Sequence, residues 1–179
     1  DGARAAMRRI AGLLAAGAFG CAAAAADLAL SEVAPGIHVA IGVQEDASPA
    51  NLGGISNIGF VVGEKCVAVI DTGGSVVVGR RLREALKRVT AVPVCYVINT
   101  HVHPDHIFGN AAFAQDKPTF VGHARLPAAM AARGRNYANA LRRDLGAAVE
   151  GSEIIPPTLT VADTAELDLG GRKLTLRAW

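Results

Sequence analysis

Between Ile37 and Gly42 apolar and polar positions alternate with a period of two: Ile37, Val39 and Ile41 fall on one side, His38, Ala40 and Gly42 on the other. That alternation predicts a half-buried strand with His38 pointing away from the apolar face, as an exposed strand histidine. Leu28 to Gly42 thus reads as two short strands about the turn Ala34-Pro35-Gly36. Gln44 to Gly54 is polar and rich in turn formers, a connector between strands. Asn57–Val62 and Cys66–Asp71 read as paired strands about Gly63-Glu64-Lys65. The period then lengthens: Val78, Leu82, Leu86 and Val89 share one face of a helix over Val76–Val89, and Arg80, Arg81, Arg83, Lys87 and Arg88 populate a solvated remainder. Pro93 precedes an apolar strand, Val94 to Ile98. Gly109-Asn110 opens a short helix to about Gln115, and Thr119–Gly122 is another strand. Ala124–Gly146 reads as a helical region broken near Gly134, carrying arginines that suit either a solvated face or a lid for an acidic substrate. Ile154–Thr158, with Pro156-Pro157, is a connector. Glu166–Leu169 and Lys173–Trp179 form a hairpin on Gly170-Gly171. No repeat of fixed period is present.

The strand–helix–strand order from Cys66 to Ile98 is a βαβ unit, which puts the helix on one sheet face and brings Asp71 and residue 101 to the same sheet edge. The chain has 179 residues, 51% of them hydrophobic but only 4% aromatic. That length fits one domain. Its core must be Val, Leu, Ile and Ala, which suits an α/β fold with a mixed sheet and flanking helices. A formal net charge of +2 gives no argument for nucleic acid.

The N-terminus has the order of a secretory signal peptide: Met7-Arg8-Arg9, an apolar run Ile10–Phe19, then alanines up to Ala26. The expected layout is a signal peptide over 1–26 and a domain over 27–179, periplasmic or secreted, with no stable membrane span after cleavage because the apolar run is too short. Cys21 raises a lipid-attached alternative, though Ala18-Phe19-Gly20 suits such a site poorly. In an oxidising compartment Cys66 and Cys95 become a question. They can bridge if their strands are neighbours. Two buried free thiols are the preferred expectation, because adjacent strands often place Cβ atoms badly for a disulfide.

Chemistry concentrates in His101-Val102-His103-Pro104-Asp105-His106, which holds three of the five histidines. Imidazole nitrogen and carboxylate oxygen are ligands for Zn²⁺, and they suit iron as well. His101 and His103, two apart on an extended or turning segment, project the same way. Pro104 disfavours helix at the residue before it. The window follows an apolar strand, where open α/β sheets place their sites. His123, directly after the next strand, reads as a helix-start residue or a satisfied buried imidazole in preference to a substrate-facing group. Asp71 closes its own strand just before a helix, so it can act as a helix-start acceptor.

Thr100 to His106 with Gly109-Asn110 resembles the HxHxDH signature of the metallo-β-lactamase-fold superfamily, and Ile70-Asp71-Thr72-Gly73 resembles the strand end found upstream of it. The match runs over roughly Ile37–Trp179. The resemblance implies the N-terminal half of an αββα sandwich. It implies two zinc ions in a complete domain, His101 and His103 on the first, Asp105 and His106 on the second. Asp105 would also orient the attacking water, and Asp71 would fix the metal-binding loop from behind. The run HVHPDHIFGNAAF, followed by TFVGHARLPA, is most similar to the periplasmic branch called quinoprotein relay system zinc metallohydrolases.

The resemblance further implies downstream ligands, and no histidine lies beyond His123. The expectation is therefore an incomplete domain, the N-terminal part of a larger enzyme or a truncated gene product, which alone binds metal poorly and hydrolyses little. The parent activity expected is metal-dependent hydrolysis of an ester, thioester or amide-like bond in a small molecule. A β-lactamase of the His-only type is one alternative, since His106 stands where cysteine-using lactamases usually differ. A non-catalytic metal-dependent partner in a periplasmic quinoprotein system is another, and a redox diiron centre a third.

Overall fold

A computed structural model describes residues 27–179. The signal-peptide reading of 1–26 lies outside the described residues. Strands β1 (Ser31–Ala34), β2 (Ile37–Ala40), β3 (Ile58–Val62) and β4 (Val67–Ile70) follow in order. Helix α1 (Val76–Val89) and strand β5 (Val94–Asn99) complete the βαβ unit. A helical turn, α2 (Pro104–Ile107), and a 3₁₀ helix (Asn110–Asp116) lead to β6 (Thr119–His123) and helix α3 (Leu126–Leu145). A further 3₁₀ turn (Gly146–Val149) precedes β7 (Leu159–Val161), β8 (Thr164–Asp168) and β9 (Lys173–Arg177).

Seven strands form one mixed sheet in sequential order, β1 to β7. Neighbours are antiparallel from β1 to β4 and parallel from β4 to β7. Each parallel connection carries helix, as crossovers require. The strand pleat divides the core. Val67, Val69 and Val97 face α1 with Leu82 and Leu86. Ala68, Ile98 and Val121 face the β8–β9 hairpin with Leu167 and Leu169. A third cluster packs α2 against α3 through Ile107, Phe108, Leu126 and Met130. Among the described residues no helix is long and apolar enough to cross a membrane.

Three expectations change. Cys66 and Cys95 are joined in a disulfide with Cα atoms 5.5 Å apart, because β4 and β5 are direct parallel neighbours. His38 is not exposed: its ring stacks on Phe60 of β3 at 4.9 Å between centroids. The cross-strand pair His38↔Phe60 supplies an aromatic cover that alternation along one strand cannot show. Helix α3 runs unbroken through Gly134, which is buried; a Cβ there would stand 2.7 Å from Ile154 Cδ1. That glycine serves close packing rather than a break. Strand β7, for which the sequence pattern carried no expectation, extends the sheet just past the Pro156-Pro157 connector. In the hairpin, Gly170 and Gly171 have φ of +77° and +66°, the left-handed pair that a two-residue turn of type I′ demands.

Candidate metal centre

The site grows from the carboxyl ends of β4 and β5. Asp71 N–H donates to Ile98 O, so the residues just past the two strands lie side by side. Asp71 is 3% exposed and sits at φ +53°, a left-handed conformation that Asp tolerates better than most side chains. Its carboxylate is fully engaged. Oδ1 accepts from Thr100 N–H at 2.8 Å; Oδ2 accepts from Thr100 Oγ1 and pairs with His106 Nδ1, both at 2.7 Å. Asp71 is not the helix-start acceptor; Ser75 caps α1 through Val78 N–H.

The loop between β5 and α2 carries His101 and His103, and α2 carries Asp105 and His106. His103 is the extended residue before α2, with φ −64° and ψ 147°, and Pro104 occupies the first helical position. The proline thus excludes helix before itself and starts one turn after, which swings His106 back toward Asp71. The His101 ring lies 4.6 Å from that of His103 and 4.0 Å from that of His106, between centroids. His106 Nε2 is 3.2 Å from Asp105 Oδ2.

The electrostatics follow from burial and these pairs. Burial opposes a charged His106, but the hydrogen bonds to Asp105 and Asp71 outweigh it and hold the imidazole up to about 9. Burial also works to raise Asp105, and the hydrogen bond and charge of His106 outweigh it, leaving that carboxyl below its ordinary value. His101 is pushed down, first by burial and then by the neighbouring imidazoles.

Below the loop lies a polar knot that sequence reasoning did not single out. Asn99 and Asn110 exchange amide bonds at 2.7 and 3.1 Å, and Thr72 Oγ1 donates to Asn110 Oδ1 at 2.8 Å. The His106 carbonyl accepts from Thr72 N–H and from Asn99 Nδ2, each at 3.1 Å. Ser56, from the long β2–β3 loop, donates to the Asp105 carbonyl. The sign that was available is Asn99 itself, an amide closing an otherwise apolar strand. Gly109 packs against β4's end so closely that a Cβ would lie 2.0 Å from Thr72 O. His123 accepts from Arg125 N–H at 2.9 Å, the behaviour of a helix-start residue, and lines a cleft of about 570 Å³ that also reaches His101.

The donors are of the right kind for zinc: His106 commits Nδ1 to Asp71, the usual way a ligating histidine is oriented, and its Nε2 lies beside the Asp105 carboxylate, 3.2 Å away. Their number is short. Among the described residues no three His, Cys, Asp or Glu side chains stand together as a cage, where catalytic zinc takes three from protein.

The metallo-beta-lactamase superfamily model matches residues 52–177. A linear primary-alkylsulfatase of Pseudomonas sp. (strain ATCC 19151) is 33% identical over 58 residues, 32% of this chain and 11% of that protein. The structure of TMB-1 aligns with a TM-score of 0.55 at 16% identity, over 80% of this chain and 56% of that one. A metallo-beta-lactamase from Hirschia baltica aligns at 0.54 and 13% identity, over 80% and 57%. The chain thus spans little more than half of those lactamase structures and about a tenth of the sulfatase. The fold, the loop over Asp71 and the family match agree: this chain belongs to the metallo-beta-lactamase superfamily.

Proposed function

We propose that the full-length protein is an exported zinc-dependent hydrolase that uses two metals against an ester, thioester or amide-like bond. One observation carries the reading: His101, His103, Asp105 and His106 meet on a loop whose orientation is held by a buried, fully bonded carboxylate, Asp71. His101 and His103 would hold one ion; Asp105 and His106 would hold the other. Zinc, when bound, supplies Lewis acidity and a water acidified to a pKa near 7. Asp71 accepts the hydrogen bond from His106 Nδ1–H and thereby fixes Nε2 as the nitrogen that would ligate. Asp105, kept ionised, orients the attacking water. The same donors suit iron, so metal identity is part of the test.

The Cys66–Cys95 disulfide supports an oxidising compartment, periplasmic or secreted. The similarity to an alkylsulfatase favours a sulfuric ester among the esters in scope. The branch resemblance around the ligand loop supports service in a periplasmic quinoprotein system, as hydrolase or as metal-dependent partner.

The test is metal analysis and a hydrolysis screen on the full-length gene product. Thioester, sulfate ester and β-lactam substrates would be compared between the native protein and His103→Ala. The expected result is about two zinc ions per chain, turnover on one class, and loss of both metal and turnover in the variant. Absence of a bound transition metal, or unchanged turnover in His103→Ala, would overturn the reading.

A further inference from the structure

We infer that the Cys66–Cys95 disulfide is a positioning element: it pins a β-bulge in β5 that sets the register by which Thr100 and the histidine loop reach Asp71. Two backbone bonds define the bulge. Val67 N–H donates to Pro93 O, and Asp71 N–H donates to Ile98 O. Between them β4 advances four residues and β5 five. The pairing shows the same slip, Val67↔Val94 but Ala68↔Tyr96, which leaves Cys95 as the residue without an opposite number.

The side chains record the consequence. Val94 and Val97 lie in the same core cluster, on the α1 side, though three apart in sequence. A regular strand would put them on opposite faces. The extra residue therefore resets the phase of everything after it. Tyr96 and Ile98 pack toward the hairpin with Ala68. Without the bulge, pairing beyond Val94 would slip by one and the side chains from Tyr96 onward would change faces. Asn99 would then take Thr100's place beside Asp71, and Asn110 would lose its amide partner.

A bulge locally disrupts the ladder and is rare between parallel strands. This one carries a covalent tie at the bulged residue itself, to the residue immediately before β4. The tie sits at the amino ends of β4 and β5; the site sits at their carboxyl ends. Opening it takes two electrons and two protons from a dithiol, which leaves as its own disulfide while Cys66 and Cys95 become thiols. The inference rests on backbone pairing, so it stands or falls separately from the hydrolase reading.

Amide hydrogen exchange on the full chain tests it. Oxidised protein would be compared with protein held in excess dithiothreitol, and with the Cys66→Ala/Cys95→Ala variant in the cold. The expected result is exchange at Val67, Asp71 and Thr100 faster by roughly tenfold or more, as for a local opening. Amides of β2, β3 and β7 speed up less, only as far as the fall in global stability carries them, and reoxidation restores the wild-type pattern. Uniform acceleration across the sheet in step with a lowered Tm would overturn the inference, because it marks a general staple. So would outright unfolding, or unchanged exchange at Asp71 and Thr100.

Discussion

Asp71→Asn isolates the charge under the ligand loop while leaving shape intact. Asparagine tolerates the φ of +53° at this position at least as well as aspartate. The amide oxygen can still accept from Thr100 N–H, the bond now made at 2.8 Å to Oδ1. The amide nitrogen then replaces Oδ2, which today faces Thr100 Oγ1 and His106 Nδ1 at 2.7 Å each. The threonine hydroxyl can rotate to accept. The imidazole cannot remain a donor at Nδ1; it must turn that nitrogen into an acceptor and carry its proton on Nε2, the wrong tautomer for a ligand. Losing one charge-assisted bond at a buried carboxylate costs about 2 kcal/mol. By linkage the same amount lowers the His106 pKa from about 9 by about 1.5 pH units. Zinc affinity should fall roughly 10- to 100-fold, as when other partners that orient ligating histidines are removed. Histidine NMR titration of chelated protein and urea unfolding near pH 6 read the two effects. A His106 titration that stays near 9 in the variant would refute the reasoning, since Asp71 would then not be what holds the proton.

The remaining expectations concern pH, packing and the covalent tie. His106 is raised from 6.5 to about 9 in the folded chelated protein, so its contribution is full below pH 6.5 and is lost as pH climbs through 9. Unscreened the gap corresponds to about 3 kcal/mol, and partial exposure brings it to roughly 2; urea midpoints at pH 6 and pH 9.5 check it, and zinc binding should strengthen over the same rise. Gly109→Ala puts a Cβ 2.0 Å from the backbone oxygen of Thr72, which cannot swing aside, and should destabilise by at least about 3 kcal/mol in denaturant titration. Removing the disulfide opens a loop with a sequence separation of 29. That should cost roughly 3.5 kcal/mol and lower the calorimetric Tm by roughly 10 °C.

What could be seen in the chain beforehand was whatever is written locally. The βαβ unit showed because Val78, Leu82 and Leu86 sit at helical spacing between two apolar runs, and the hairpin because Gly170-Gly171 dictates its own turn. The ligand cluster showed because it is six consecutive residues. What stayed hidden is pairwise. His38 alternates as an exposed residue should, yet Phe60 on the next strand covers it. Gly134 looks like a break until Ile154, from a distant connector, is seen to need the space. Asn99, Asn110 and Thr72 are each unremarkable apart, and become a knot only once β4, β5 and the 3₁₀ turn converge. The disulfide runs against the free-thiol expectation because its geometry depends on one extra residue in β5, and the spacing of Cys66 and Cys95 carries no trace of it.

The knot of Thr72, Asn99 and Asn110 sits beside a change in the sheet. β4 is where the sheet changes from antiparallel to parallel pairing, and Asp71 stands at its carboxyl end. A loop leaving a parallel strand has no hairpin partner to hold it, so its backbone needs other acceptors and donors. Here the His106 carbonyl is gripped by Thr72 and Asn99, the Asp105 carbonyl by Ser56, and the loop's amide at Thr100 by Asp71. Every one of those partners comes from outside the loop. The three imidazoles and the Asp105 carboxylate carry little of that duty: His106 Nδ1 contacts Asp71, His101 Nδ1 contacts Thr100, and His106 Nε2 and the Asp105 carboxylate meet each other at 3.2 Å. A surface turn that merely happened to contain histidines would have no reason for so many buried polar groups to fix its main chain while leaning so little on its side chains. That division of labour, rather than the histidine count, is the physical case for a cation site.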